Sequence, residues 1–369
     1  MRQVGDNLLR HLRDGREAFP AMIDAIDSAR REILLEMYCV GDDAVGAHFR
    51  DRLVARCNAG VAVYVTYDGV GSLGLVDSFW EPLVRAGAKV VEVGPLTPWR
   101  RRFRLARLLF RDHRKILVVD GLVAFCGGLN LAREWLPPEE GGSGWRDDAI
   151  EIRGSASLLL RALVCETWRR LGHEGPPGDS PASAVIPERM RVLANRVEGR
   201  PDRRIRRTHL LAIRRAQTSI DITSAYFLPG PLFLRALREA VKRGVRVRIL
   251  VPMVCDVWLA GLAMEGMIGK LLRDGIQVFA YTAAVLHAKT AVLDERLVVI
   301  GSHNLDTFSW RFNLEANVLV DDRAFAGDLV ASFERDLASS ARLDLQGVRA
   351  RWWFARLLAW MAALLRGLL

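Results

Sequence analysis

The chain has 369 residues, half of them hydrophobic, and a formal net charge of +10. That length exceeds one typical core and suits two globular domains, while the positive charge favours an anionic partner: nucleic acid, lipid headgroups or a phosphate substrate. Five scattered cysteines without a CxxC pair read as reduced thiols, which excludes a disulfide framework or a cysteine-held metal.

The amino end, MRQVGDNLLRHLRDGREAF, has no apolar stretch long enough for a signal peptide. No run of 18 uncharged apolar residues occurs in the chain, so a conventional membrane-spanning helix is not expected. A helical pattern from Ala21 to Arg31 precedes the apolar run EILLEMYCV. A second helix, HFRDRLVARCNAG, leads into the strand-like VAVYVTYDG. Further on, HLLAIRRAQ precedes SIDITSAYFLPG, and PLFLRALREAVKRGV leads into VRVRILVP. A helix ending at glycine and followed by a β-branched run is a helix–strand unit. The same order therefore occurs twice, at a spacing far beyond solenoid periods, which indicates duplication into two lobes. GHEGPPGDSPASAVIPE (172–188) reads as the connection between them. The expected organisation is a first lobe at 1–175, a linker at 176–188, a second lobe at 189–345 and a tail at 346–369.

Each lobe carries one unusual strand segment. Residues 113–130 read HRKILVVDGLVAFCGGLN and residues 287–304 read HAKTAVLDERLVVIGSHN. His113, Lys115, Asp120, Gly127 and Asn130 recur as His287, Lys289, Asp294, Gly301 and Asn304, each pair 174 positions apart. KILVVD followed by Gly121 and LVAFC predicts a hairpin, with Asp294-Glu295 at the second turn. Alternation along a strand puts His113 and Lys115 on one face, and likewise His287 and Lys289. Histidine, lysine, asparagine and turn N–H groups suit an oxyanion, above all phosphate. Two such sets facing each other across an approximate two-fold axis place an imidazole on either side of one phosphorus. One attacks; the other protonates the leaving oxygen. Lysines and asparagines take up the charge, and neither metal nor cofactor is required.

HxK(x)4D(x)6G[GS]xN, present twice, resembles the signature of the phospholipase D superfamily. The resemblance spans both copies and, through the two-lobe organisation, nearly the whole chain. It implies an α/β fold of two similar lobes, each a mixed β-sheet flanked by helices, with the active site at the pseudo-two-fold lobe interface. By the same resemblance His113 is the nucleophile, forming a phosphohistidine, and His287 is general acid and then base. Lys115, Lys289, Asn130, Ser302 and Asn304 bind the phosphate. Asp120 and Asp294 complete the family's catalytic signature, although their place at the hairpin turns points to a structural role. An acidic residue that orients a histidine falls on Glu315 in the second copy. In the first it falls on Asp147, with Asp148 the alternative. Gly128 stands where the second copy has Ser302, so one half-site lacks a hydroxyl and the two histidine roles remain interchangeable.

Three neighbouring features favour a lipid over a nucleic acid. PWRRRFRLARLLFRDHRK carries eight basic residues from Arg100 to Lys115 among phenylalanines and leucines, as a membrane surface beside the site would require. In the tail, Trp353, Leu357, Trp360, Leu364 and Leu368 share one helical face opposite Arg351, Arg356 and Arg366, and only nine uncharged residues separate the last two arginines. An interfacial helix fits this pattern, as does a terminal helix packed on the protein. PMVCDVWLAGLAMEGMIGKLL (252–272) reads either as an acyl-chain groove or as an ordinary buried helix. The motif segments and YFLPGPLFLRALREAVKRGVRVRILVP look most like bacterial cardiolipin synthases. This resemblance implies a phosphatidylglycerol donor, a lipid hydroxyl acceptor, an anionic membrane partner, no nucleic acid, and peripheral attachment to the bacterial cytoplasmic membrane. Hydrolysis by a phospholipase D or a nuclease-like phosphodiesterase is the alternative, and no oligomeric state is assigned.

Overall fold

The structure, a computed structural model, describes residues 1–95, 111–176, 188–195 and 204–350. The basic segment 96–110, most of the linker and the tail 351–369 lie outside the described residues. In the first half the strands are β1 (Arg2–Val4), β2 (Asn7–Arg13), β3 (Glu32–Met37), β4 (Ala62–Asp68), β5 (Lys89–Val93), β6 (Arg111–Asp112), β7 (Lys115–Val119), β8 (Val123–Gly127) and β9 (Asp148–Arg153). The helices between and after them are α1 (Asp14–Ser28), α2 (Ala44–Asn58), α3 (Glu81–Arg85) and α4 (Ser157–Arg170). The second half has β10 (Met190–Ala194), β11 (Ser219–Ser224), β12 (Phe227–Leu228), β13 (Arg246–Pro252), β14 (Gln277–Tyr281), β15 (Lys289–Leu293), β16 (Leu297–Gly301), β17 (Leu305–Asp306), β18 (Asn313–Leu314), β19 (Ala316–Asp321) and β20 (Ser340–Arg342). Its helices are α5 (Arg204–Arg215), α6 (Pro231–Lys242), α7 (Trp258–Arg273), α8 (Thr307–Phe312), α9 (Arg323–Ala338) and α10 (Leu345–Ala350).

Two mixed eight-stranded sheets result, ordered β1-β2-β9-β8-β7-β3-β4-β5 and β10-β19-β16-β15-β11-β13-β14-β20. Omitting the edge strands β1 and β20, the two orders correspond strand for strand, and the hairpins β7–β8 and β15–β16 occupy the same place. The fold is therefore α/β with two similar lobes. Side chains alternate along β7 as its pleat demands: Leu117 and Val119 enter a core under α1 and α2, while Ile116 and Val118 face the other lobe. That inner cluster is shared. It joins Leu160 and Val164 of α4 to Ile300 and Val318 of the second sheet and Phe325 of α9. The lobes are two halves of one packed body, since a single apolar layer runs between their sheets.

Helix α1 starts at Asp14, ahead of the expected Ala21, and stops before Arg31. The backbone N–H groups of Arg30 and Arg31 donate instead to the Asp120 carboxylate at 2.9 and 2.7 Å. The 252–272 segment resolves into an exposed loop and then α7, whose Ala263, Met264, Met267 and Leu271 pack in the second lobe's own core. It is an ordinary amphipathic helix. Among the described residues, no helix is long and apolar enough to cross a membrane.

Candidate active site

The motif aspartates do not reach the site. Lys115 pairs with Met37 at the far end of β3, whereas Asp120 closes the turn beside Glu32. Asp120 lies five positions along the strand from Lys115, roughly 16 Å at the rise of a β-strand. Asp120 takes the N–H groups of Arg30, Arg31 and Glu32, and Asp294 those of Gln217, Thr218 and Ser219. Each carboxylate stitches a hairpin to the start of the neighbouring antiparallel strand, and its turn residues adopt positive φ, including the non-glycine Asp294 and Glu295. The catalytic role that the signature implies for Asp120 and Asp294 is corrected by their place: both carboxylates hold hairpin turns, away from the histidines.

The histidines meet at the opposite end of the sheets, where two short parallel ladders cross between the lobes. Leu314 pairs with Asp112, and the His113 N–H donates to the Leu314 carbonyl at 2.9 Å. Arg146 bridges to Leu286, and the His287 N–H donates to the Arg146 carbonyl at 2.7 Å. Each ladder therefore sets a histidine beside the next residue of the other lobe. His113 Nδ1 lies 3.0 and 3.1 Å from the two Glu315 oxygens, and His287 Nδ1 lies 2.7 Å from Asp147 Oδ2. Glu315 and Asp147 thus each lie against the histidine of the opposite lobe. Asp148, the alternative, is bound to His11 and Arg146.

The lysines fold back on their own strands: Lys115 Nζ donates to the His113 carbonyl at 2.8 Å, and Lys289 Nζ donates to the His287 carbonyl. Asn130 and Asn304 are both buried. Asn130 Oδ1 accepts from the Cys39 N–H at 3.2 Å, so the amide can act toward a ligand only through its NH2, as a donor. Ser302, expected at the phosphate, instead gives its hydroxyl to Glu315 Oε2 at 2.5 Å. Asn313 Nδ2 donates to the other Glu315 oxygen at 3.3 Å.

In the matching place Gly128 has no room for a side chain, because a Cβ there would collide with the Asp147 carboxylate. The missing hydroxyl is replaced by Trp135 Nε1, which donates to Asp147 Oδ2 at 2.9 Å, and by the Asp148 N–H at 2.8 Å. Sequence spacing did not disclose Trp135, Trp145, Asn313 or Tyr38, none of which lies at the repeat offset from a like residue. Trp135 and Trp145 wall His287 at ring distances of 5.4 and 5.7 Å. Tyr38 stands edge-on to His113 at 4.6 Å, with Lys115 Nζ the same distance over its ring.

Electrostatics separate the two halves. Burial drives the His113 imidazole well below its ordinary value, reinforced by Lys115, Lys289 and His287. Burial and Lys289 lower His287 too, but Asp147 opposes them through charge and hydrogen bond. Burial brings Lys115 down to about 7, with Glu315 opposing and Lys289 reinforcing. Burial also pushes Glu315 up to about 8, against the pull of Lys115, Ser302 and Asn313. Asp147 goes the other way: burial disfavours its charge, yet Lys289, His287 and its hydrogen bonds together hold it below the usual carboxylate range. Asp147 is thus held as an anion beside His287, while burial works against the charge of Glu315 beside His113.

A family model described as "Cardiolipin synthase, PLD-like domain" matches residues 210–337. The chain is 34% identical over 364 residues to a cardiolipin synthase of Halalkalibacterium halodurans, covering 97% of this chain and 71% of that one. It is 33% identical to a cardiolipin synthase A of Pseudomonas entomophila, covering 94% and 72%. Among solved structures, a phosphatidylserine synthase of Haemophilus influenzae superposes with a TM-score of 0.71 at 16% identity, over 98% of this chain and 95% of that one, which shows a common fold.

Proposed function

The chain belongs to the cardiolipin synthase family of the phospholipase D superfamily, and from that premise we propose that its two half-sites transfer a phosphatidyl group in two steps through a phosphohistidine on His113. Its function is of cardiolipin synthase type: it is a phosphatidyltransferase acting on phospholipids. The observation that carries the assignment of roles is geometric: Asp147 Oδ2 lies 2.7 Å from His287 Nδ1, whereas Glu315 stands 3.0 and 3.1 Å from His113 Nδ1 and is shared with Ser302 and Asn313. Neutral His113 carries its proton on Nδ1, where it is donated to Glu315, and so keeps the lone pair of Nε2 for attack. His287 sits against an anion able to stabilise its imidazolium once a phosphodiester's negative charge enters the cleft.

In the first step Nε2 of His113 attacks the phosphorus of phosphatidylglycerol. A P–N bond forms, the P–O bond to the headgroup glycerol breaks, and the His287 imidazolium gives its proton to that oxygen. Glycerol departs. In the second step a hydroxyl of another phosphatidylglycerol attacks the phosphorus while neutral His287 takes its proton. The new P–O bond forms, the P–N bond breaks and cardiolipin leaves. Lys115, Lys289, Asn130 and Asn304 stabilise the phosphoryl oxygens throughout. The reaction proceeds at the bacterial cytoplasmic membrane, with the protein attached peripherally.

Purified protein given phosphatidylglycerol alone should release cardiolipin and glycerol in equal amounts, and His113→Ala should release neither. Phosphatidic acid as the sole lipid product would replace transfer with hydrolysis. A pH profile adds an independent check. Lys115 must be charged to bind phosphate, and it loses that charge as pH rises through about 7, next to a carboxyl that ionises at about 8. The alkaline limb of kcat/KM should therefore fall in this range. Lys115→Arg keeps its charge through this range and should move the limb to higher pH; an unmoved limb would assign it to another group.

A further inference from the structure

The three most exposed large apolar side chains among the described residues are Trp258 at 72%, Leu73 at 70% and Val254 at 65%. They come from two loops in corresponding places. Leu73, with Val70 and Val76, lies in the loop after β4; Val254 and Trp258, with Met253 and Val257, lie in the loop after β13 and at the start of α7. Strands β4 and β13 are equivalent in the two sheets, and both end on the side where the histidines meet.

Each loop is tied at its base to the active site. Ser72 Oγ accepts from the Val40 N–H at 3.0 Å and donates to the Tyr38 carbonyl at 3.3 Å, and the Tyr38 ring stands on His113. Asp68, where the first loop begins, accepts the Asp112 N–H at 2.9 Å. On the other side, Asp256 takes the Tyr226 hydroxyl at 2.6 Å, and its charge bears on His287 and Lys289. The two apolar tips therefore flank the cleft, held by bonds that also position its walls.

We propose that loops 70–76 and 253–258 insert into the lipid bilayer as a pair of apolar prongs, holding the mouth of the cleft against the surface from which both phospholipids are drawn. The inference rests on the phosphatidyl-transfer reading for the substrate, and on the loops alone for the insertion. A bilayer fits both tips because it is at once their apolar partner and the source of what enters between them. A protein or a second copy of this chain seated across both tips would seal the cleft. Neither loop carries a lysine or arginine. Their contribution is therefore apolar and persists at high salt, where attraction of the +10 chain to anionic headgroups is screened.

The test uses the full chain with vesicles of phosphatidylglycerol and phosphatidylcholine in about 0.5 M salt, beyond the reach of surface attraction. Leu73→Ser and Trp258→Ser should each weaken co-flotation roughly tenfold, and the pair should nearly abolish it. Lipids brominated along the acyl chain should quench wild-type fluorescence more than that of Trp258→Phe. Equal flotation of wild type and the double variant, or equal quenching of wild type and Trp258→Phe, overturns the proposal. So does a self-association in solution that disappears with Leu73→Ser or Trp258→Ser, which would assign the tips to a second copy. Turnover of short-chain phosphatidylglycerol dispersed as monomers reports on the transfer reading separately. The loop variants should match wild type there; a wild type inactive on that substrate defeats the transfer reading while flotation still decides the loops.

Discussion

His287→Ala should turn over phosphatidylglycerol roughly 10^4-fold more slowly than wild type, the upper end of what one positioned acid–base group supplies, because the same imidazole serves both steps. A donor with a good leaving group separates those steps. A nitrophenyl phosphatidate expels a phenolate that needs no proton, so attack by His113 should proceed in the variant. The second step lacks its base and should stall. The expected record is a burst of about one nitrophenol per protein chain, with a phosphatidyl group then found on His113 by peptide mass spectrometry. His113→Ala should give no burst. A burst that survives in His113→Ala and vanishes in His287→Ala would exchange the two roles.

Gly128→Ala is the second large effect, and it follows from a carboxylate rather than from backbone freedom. The new Cβ occupies the position of Asp147, which must swing away from Trp135 and His287. His287 then loses the anion that stabilises its imidazolium, and turnover of phosphatidylglycerol should drop on the order of a hundredfold to a thousandfold, below the loss seen when a triad's orienting carboxylate is made neutral. The donor with the phenolate leaving group should be affected far less, since expelling it needs no acid. Equal losses with both donors would show general damage to the cleft. Ser302→Gly, on the other lobe, removes one donor to Glu315 without displacing it, and a smaller effect is expected.

Much of this arrangement was legible in the chain. Two polar residues two apart in an apolar strand have to share a face, and five repeated positions at one offset have to mark equivalent places in two lobes. The turn role of Asp120 and Asp294 followed from the same alternation and hairpin logic. The partner of each carboxylate was beyond such reasoning. Glu315 lies 28 residues after His287 and Asp147 lies 34 after His113, yet each crosses to the other lobe. That exchange is made by one ladder of two residue pairs and one single bridge, too short to leave a pattern in sequence. Trp135 was silent for a different reason: it substitutes for Ser302 chemically but not positionally, so no repeat analysis would pair them. The start of α1 was missed because Asp14, at a positive φ of 62°, stands at a helix start without a recognised cap.

The crossed ladders also say what fusing the lobes made available. A symmetric pair of identical one-lobe chains would have the same contacts, each histidine reaching the other subunit's carboxylate, but by symmetry every residue on one side would recur on the other. Such a pair has no means of specifying which imidazole attacks; it must break its symmetry anew in every catalytic cycle. With both halves on one chain, a glycine, a tryptophan and a shorter acid on one side, against a serine, an asparagine and a longer acid on the other, write the direction of proton flow into the covalent structure.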